Sequence, residues 1–168
     1  MKEKEMRKYL LLIAMVIFTG CSDSVDKSAV EERNSLMYLI DSDEPYSGRI
    51  TSYHSNGEKE EEITYKDGEE NGLETRWHEN GQKLSEGYNK DGEGDGNWTY
   101  WHSDGQKEME TIYINGSADG LETRWYDNGQ KEWEINWNNG LRDGLMTTWD
   151  RSGNMASQQL YSNGVRIR

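Results

Sequence analysis

The sequence holds one cysteine, one proline and one phenylalanine in 168 residues. A lone cysteine excludes any internal disulfide, so nothing covalent staples the chain. Branched aliphatic residues are sparse too. The apolar fraction is 32%, low against the roughly 45–50% of an average globular chain, a count that includes Gly. A two-layer fold needs many Leu, Ile and Val to fill its interior, and this chain does not have them. Positive charge is also short: 19 Lys and Arg face 32 Asp and Glu, for a net charge of −13. Nucleic-acid binding rests on neutralising phosphates, so no nucleic-acid partner is expected of so acidic a chain.

What the chain does have is 7 Trp, 10 Tyr and 18 Gly. Disorder goes with few aromatics, so this is a folding chain. Tyr and Trp bury large area and keep a polar handle, which suits a thin structure wetted on both sides. The one long apolar run is Tyr9 to Phe18, behind Lys2, Lys4, Arg7 and Lys8. It has the length of a signal-peptide core and falls short of the ~20 residues of a permanent membrane helix. Removing the first twenty residues removes four cations and two anions and leaves the remainder at −15.

Thr19-Gly20-Cys21 closes that run and resembles the lipobox of bacterial lipoproteins, with Phe18 where Leu is usual. The resemblance implies a signal peptide over 1–20, a diacylated Cys21, and a protein held in the cell envelope by its lipid. Ser22 after the cysteine implies the outer membrane if the source is Gram-negative. Acyl chains add affinity with each buried methylene, so several on one cysteine hold firmly. Residues 21–34 are polar and charged and read as a flexible tether. Within 35–47, Ser35-Leu36-Met37-Tyr38-Leu39-Ile40 reads as a strand capping the remainder of the chain.

From residue 48 onward the sequence repeats itself. Glycines stand at 48, 72, 96, 120 and 144, each 24 residues from the last, with a second glycine nine residues on and a third twenty residues on. Three residues after the first glycine stands Thr51, Thr75, Thr99, Thr123 or Thr147. Five after it stands Tyr53, Trp77, Trp101, Trp125 or Trp149. Five tandem units therefore occupy 48–168. Each holds two strand candidates split by a turn, and Asn80-Gly81, Asp104-Gly105 and Asn128-Gly129 are strong hairpin signals there. The expected fold is all-β: an elongated single-layer antiparallel sheet of ten or eleven strands, roughly 50 Å long at about 4.8 Å per strand.

Counting residues assigns the faces. A three-residue loop such as Asp127-Asn128-Gly129, with glycine in the left-handed position, sets Trp125 opposite Lys131 and Thr123 opposite Trp133. A five-residue link such as Asn139 to Asp143 keeps the parity. Both aromatic ladders then share one face: Tyr53, Trp77, Trp101, Trp125, Trp149, and Tyr65, Tyr113, Trp137, Tyr161, with Asn89 interrupting the second. Glu62, Glu86, Glu110 and Glu134 make the other face acidic, and Lys59, Lys83, Lys107 and Lys131 line an edge. Trp98, Tyr100 and Tyr126 fall opposite the first ladder.

With the unit Gly-Leu-x-Thr-x-Trp-x-x-Asn-Gly-Gln-Lys laid out, the chain resembles the MORN-repeat variant family, whose members are often labelled YwqK-type toxin–antitoxin antitoxins. Tyr113 to Gly120 also looks like a MORN repeat proper. The resemblance covers about 48 to 164. It implies a MORN-like scaffold or dimerisation module, and the antitoxin label implies a toxin as protein partner.

No catalytic constellation is expected. His54, His78 and His102 form a column whose members lie about 9.6 Å apart, too far for one zinc ion, and they read as rim residues. Asn89 to Gly96 loosely matches a calcium loop but has Tyr100 where the last ligand belongs. Regular repetition of the Glu column reads as a solvated face. The expectation is a non-enzymatic module with no cofactor and no metal. Its binding surface would be the aromatic face, its partner a protein or a second copy, with an envelope glycan as the alternative. Contiguous exposed apolar strips mark interaction sites.

Overall fold

The computed structural model describes residues 24–167; the leader 1–20 and Cys21 lie outside the described residues. The chain starts with β1 (Ser24–Asp26), a single 3-10 turn (Lys27–Ala29), β2 (Val30–Arg33) and β3 (Leu36–Leu39). The repeats come next: β4 (Gly48–Tyr53) and β5 (Lys59–Lys66); β6 (Glu69–Trp77) and β7 (Lys83–Lys90); β8 (Glu93–Gly94), β9 (Gly96–Trp101) and β10 (Lys107–Ile114); β11 (Ser117–Ala118), β12 (Gly120–Trp125) and β13 (Lys131–Asn138); β14 (Leu141–Arg142), β15 (Gly144–Trp149) and β16 (Met155–Ser162); then β17 (Val165–Arg166). Fifteen strands form one sheet in chain order, and β2 and β3 form a separate hairpin. Apart from the parallel β1, every pairing is antiparallel. The all-β sheet of hairpin repeats expected from the sequence is present.

The first turn in each unit is as expected. Tyr126 and Gln130 close a three-residue loop by a backbone bond of 2.9 Å, and Gly129 has φ +78. The second turn is tighter than the five residues expected. Asn138 pairs with Leu141 across Asn139-Gly140, both in the left-handed region at φ +48 and +75. Asn-Gly suits this primed turn because its twist matches that of the flanking strands. The same pair of left-handed residues recurs at 67–68, 91–92, 115–116 and 163–164. Each turn glycine after the first donates its N–H to a carbonyl of the preceding unit, as Gly140 N to Ala118 O at 2.8 Å. The units are thus bonded to one another at their turns.

The N-terminal expectations are corrected. Residues 24–34 are structured rather than a tether. β1 lies parallel on the edge strand β4, Ser24 pairing with Arg49 and Val25 with Ile50, and Lys27 forms an ion pair with Glu61 at 3.5 Å. Polar side chains told nothing here, because an edge strand needs backbone groups and not apolar ones. The strand expected within 35–47 is present but stands outside the repeat sheet. Leu36–Leu39 pairs with Val30–Arg33 and touches the array through Met37 N to Gly68 O at 2.9 Å.

Register overturns the assignment of faces. Trp125 does face Lys131, but Arg124, not Thr123, faces Trp133. Glu132 is an extra residue, a bulge, and the same irregularity occurs beside the loop of every repeat. One added residue moves every later side chain to the other side. The two aromatic ladders therefore lie on opposite faces of the sheet.

Candidate functional site

The first face, called the threonine face, carries four columns built by strand alternation. Thr51, Thr75, Thr99, Thr123 and Thr147 stand opposite Glu62, Glu86, Glu110, Glu134 and Gln158 in register. The glutamates are therefore not on a face of their own; they sit beside the tryptophans. Each is bound by the lysine three residues earlier: Lys59 Nζ to Glu62 Oε2 at 2.9 Å, Lys131 Nζ to Glu134 Oε2 at 2.7 Å, and likewise Lys83 with Glu86 and Lys107 with Glu110. Burial pushes the Glu62 carboxyl up, but the hydrogen bond and charge of Lys59, with Arg49 and Thr51, outweigh it and hold it below the usual range.

The same lysines cover the tryptophans of the next unit. Lys59 lies 5.3 Å from the ring centre of Trp77, Lys83 5.8 Å from Trp101, Lys107 5.4 Å from Trp125 and Lys131 5.4 Å from Trp149. Cation–π distances of this kind reach to about 6 Å. The predicted first ladder is thus an alternating Lys–Trp column, with half-buried rings and the exposed Tyr53 at its start.

Beside these columns runs an apolar row of which the sequence showed only half. Leu73 pairs with Tyr88, Asn97 with Ile112, Leu121 with Asn136 and Leu145 with Leu160. Leu73, Tyr88, Ile112, Leu121 and Leu145 are exposed, from 36% to 58%. The row forms the wall of a groove of about 670 Å³ over β6, β7 and β9, lined by Leu73, Glu86, Tyr88, Asn97 and Thr99 among others. A second hollow of about 390 Å³ continues it past Ile112 and Leu121. Tyr88 and Ile112 were missed because the parity count placed the second strand of each hairpin upside down.

The second face buries more. Its central columns pair Ile50 with Ile63, Trp98 with Thr111 and Glu122 with Ile135, all buried. The second ladder lies here: Tyr65, Tyr113, Trp137 and Tyr161, each half-buried. Arg142 lies 5.6 Å from the ring centre of Trp137 and 5.5 Å from that of Tyr161. Trp98 and Tyr100 do fall opposite the first ladder, as expected, and so join the second: Trp98 stands edge-on to Tyr113 at 6.3 Å and stacks beside Tyr100 at 6.1 Å.

The histidine column holds units together. Nε2 of His54, His78 and His102 lies 2.8, 2.9 and 3.1 Å from the carbonyls of Trp77, Trp101 and Trp125. A carbonyl only accepts, so Nε2 carries the proton. Tyr126 continues the column, its hydroxyl donating to Trp149 O at 3.0 Å. Among the described residues no group of three or more His, Cys, Asp or Glu is placed to hold a metal ion.

The model of the MORN repeat variant matches residues 46–67, 70–91, 94–115, 118–139 and 142–163. Each matched unit begins two residues before the glycine that opens the sequence repeat and ends on the first residue of a tight turn. No curated protein matches the chain.

Proposed function

Because the chain belongs to the MORN repeat variant family, a repeat module for binding, we propose that it is a non-enzymatic protein-interaction scaffold held in the cell envelope by a lipid on Cys21, with its partner on the threonine face. One observation carries this reading: the exposed row Leu73, Tyr88, Ile112, Leu121 and Leu145 along a groove that crosses several repeats. Monomeric proteins rarely leave such strips open to water without a use. A sheet whose units are bonded to each other presents the row on a rigid base, which limits the entropy lost on binding. Every tryptophan of the first ladder has a lysine over its ring, leaving less ring face for a sugar to stack on. The protein reading is therefore preferred to the glycan one. An antitoxin is a special case of it, in which the captured protein is a toxin.

The test is capture from native envelopes with the lipidated protein, a Tyr88→Asp/Leu121→Asp variant, and an Arg142→Asp control on the other face. One protein that co-purifies with the native chain and the control, and is lost from the groove variant with unchanged circular dichroism, is the expected result. Equal capture by all three would overturn the assignment of the groove. Cys21→Ala tests the anchor separately: the protein moves from the membrane pellet to the soluble fraction, or there is no lipid anchor there.

A further inference from the structure

On the second face, several departures from the neighbouring units gather at one place. Position 89 is Asn where every other unit has Tyr65, Tyr113, Trp137 or Tyr161. Position 87 is Gly where the others have Ile63, Thr111, Ile135 and Gln159. Position 94 is Gly where the others have Tyr46, Glu70, Ala118 and Arg142. Trp98 and Tyr100 replace Ile50 and Ser52, Glu74 and Arg76, Glu122 and Arg124, Met146 and Thr148. These five departures converge. The Trp98 indole lies where a Cβ on Gly87 would be, and its Nε1 donates to Tyr88 O at 3.1 Å. That exchange of bulk explains Gly87 and Trp98 as a packing pair. It reaches Gly94 as well, where an added Cβ would meet Trp98 Nε1 at 3.3 Å, but it does not explain Asn89, which removes a ring without refilling the space.

The space left is a cleft of about 200 Å³ lined by Asn89, Gly94, Trp98, Tyr100, Tyr113 and Gly116. Trp98 and Tyr113 are at right angles, so they present two sides of a corner, with Tyr100 as a third wall. Asn89 is 6% exposed. Its Nδ2 donates to Glu74 Oε2 at 2.6 Å and to Glu70 Oε2 at 2.9 Å. Both amide protons are therefore committed to carboxylates, and Oδ1 is the end left to accept. Behind the amide, Glu74 has Arg76 as its cation at 2.9 Å. Glu70 has only the Tyr65 hydroxyl, at 3.2 Å, and Asn89; among the described residues no ion pair reaches it. Burial, with the charge of Glu74 next, raises the Glu70 carboxyl above its usual range.

Aromatic walls, the free acceptor of Asn89 in the lining and a carboxylate without an ion-pair partner beside it are complementary to one kind of group. We propose that the cleft over Asn89 binds a primary alkylammonium group, its N–H donated to Asn89 Oδ1 and its charge held between the rings of Trp98, Tyr100 and Tyr113. Rings attract cations through their negative faces, more strongly when water is excluded. The same chemistry is carried by a free polyamine and by a lysine side chain. The cleft lies on the face opposite the groove, so it stands or falls independently of the scaffold reading.

Butylammonium chloride is the probe and 1-butanol, at matched ionic strength, its neutral analogue. The readout is the Trp98 indole N–H resonance of the full chain, identified by its loss in Trp98→Phe. The expected result is a saturable shift with butylammonium and none with 1-butanol, weakened about tenfold or more in Asn89→Tyr, which restores the residue of the other repeats. Spermidine and a capped lysine peptide then separate the sources, since whichever binds more tightly carries the group the cleft takes. No saturable shift with the amine, an equal shift with the alcohol, or undiminished binding by Asn89→Tyr would each overturn the proposal.

Discussion

At the scale of single residues, the repeat keeps two kinds of position for backbone reasons. Gly129 sits at φ +78 in the three-residue loop, where a β-branched side chain is strained. Gly129→Val is expected to cost about 1–3 kcal/mol in urea unfolding, the same loop closing around a poorer residue. The histidine column offers a sharper test, because repeat four already performs the substitution. His78→Phe removes the bond to Trp101 O and is expected to cost about 0.5–1.5 kcal/mol. His78→Tyr should lose less, since Tyr126 reaches Trp149 O from the equivalent place. Equal losses in the two variants would mean that the ring, not the hydrogen bond, is what the site requires.

At the scale of elements, the bulge and the tight turn behave differently. Glu132 is an extra residue between Lys131 and Trp133. Deleting it leaves Lys131 opposite Trp125 and Trp133 opposite Arg124, so the strand keeps its faces. The cost is limited to local twist and an exposed ion pair with Arg124 at 3.3 Å, on the order of 1 kcal/mol. Asn139-Gly140 has no such reserve. Deleting Gly140 leaves one residue to make a two-residue turn, so β14 must slip by one and turn its side chains over. That variant is expected to separate repeat five from the rest, seen as a second unfolding transition. Deletion of Glu132 should leave one.

Across the whole molecule, coupling is between neighbouring units, as in other repeat arrays, and among the described residues the sheet has no second layer to lean on. Charge matters in a thin structure of this kind, and two carboxyls respond to acid in opposite ways. Glu62 is held below the ordinary glutamate value of 4.5, so its contribution is present above that pH and is lost as pH falls through its lowered value. Glu70 is held above 4.5. Its folded-state cost is therefore present at neutral pH and disappears on acidification below the unfolded value. Glu70→Gln should raise the midpoint of thermal unfolding at pH 7, and the gain should vanish near pH 4. Glu61, Glu74, Tyr65 and Arg76 surround Glu70, and a gain that persisted at low pH would point to packing against them and not to charge.

The 24-residue period, the number of units, the three-residue loop with its glycine, and the hairpin character of the sheet were all legible in the sequence. Each rests on a local requirement that a residue type records, as left-handed backbone at Gly129 and alternation along Leu121 to Trp125; the two-residue turn at Asn139-Gly140 was not read, since a five-residue link keeps the same parity. The membership of each face was not legible. It depends on counting residues between paired strands, and Glu132 carries no mark of being a bulge, since a glutamate fits a regular strand equally well. One uncounted residue moved Tyr65, Tyr113, Trp137 and Tyr161 to the far side and brought the Glu column beside the tryptophans. The sequence likewise displayed Asn89 and Trp98 as separate exceptions to a repeat. Only tertiary structure brought them to one cleft, because neighbours across a sheet are set by register and not by distance along the chain.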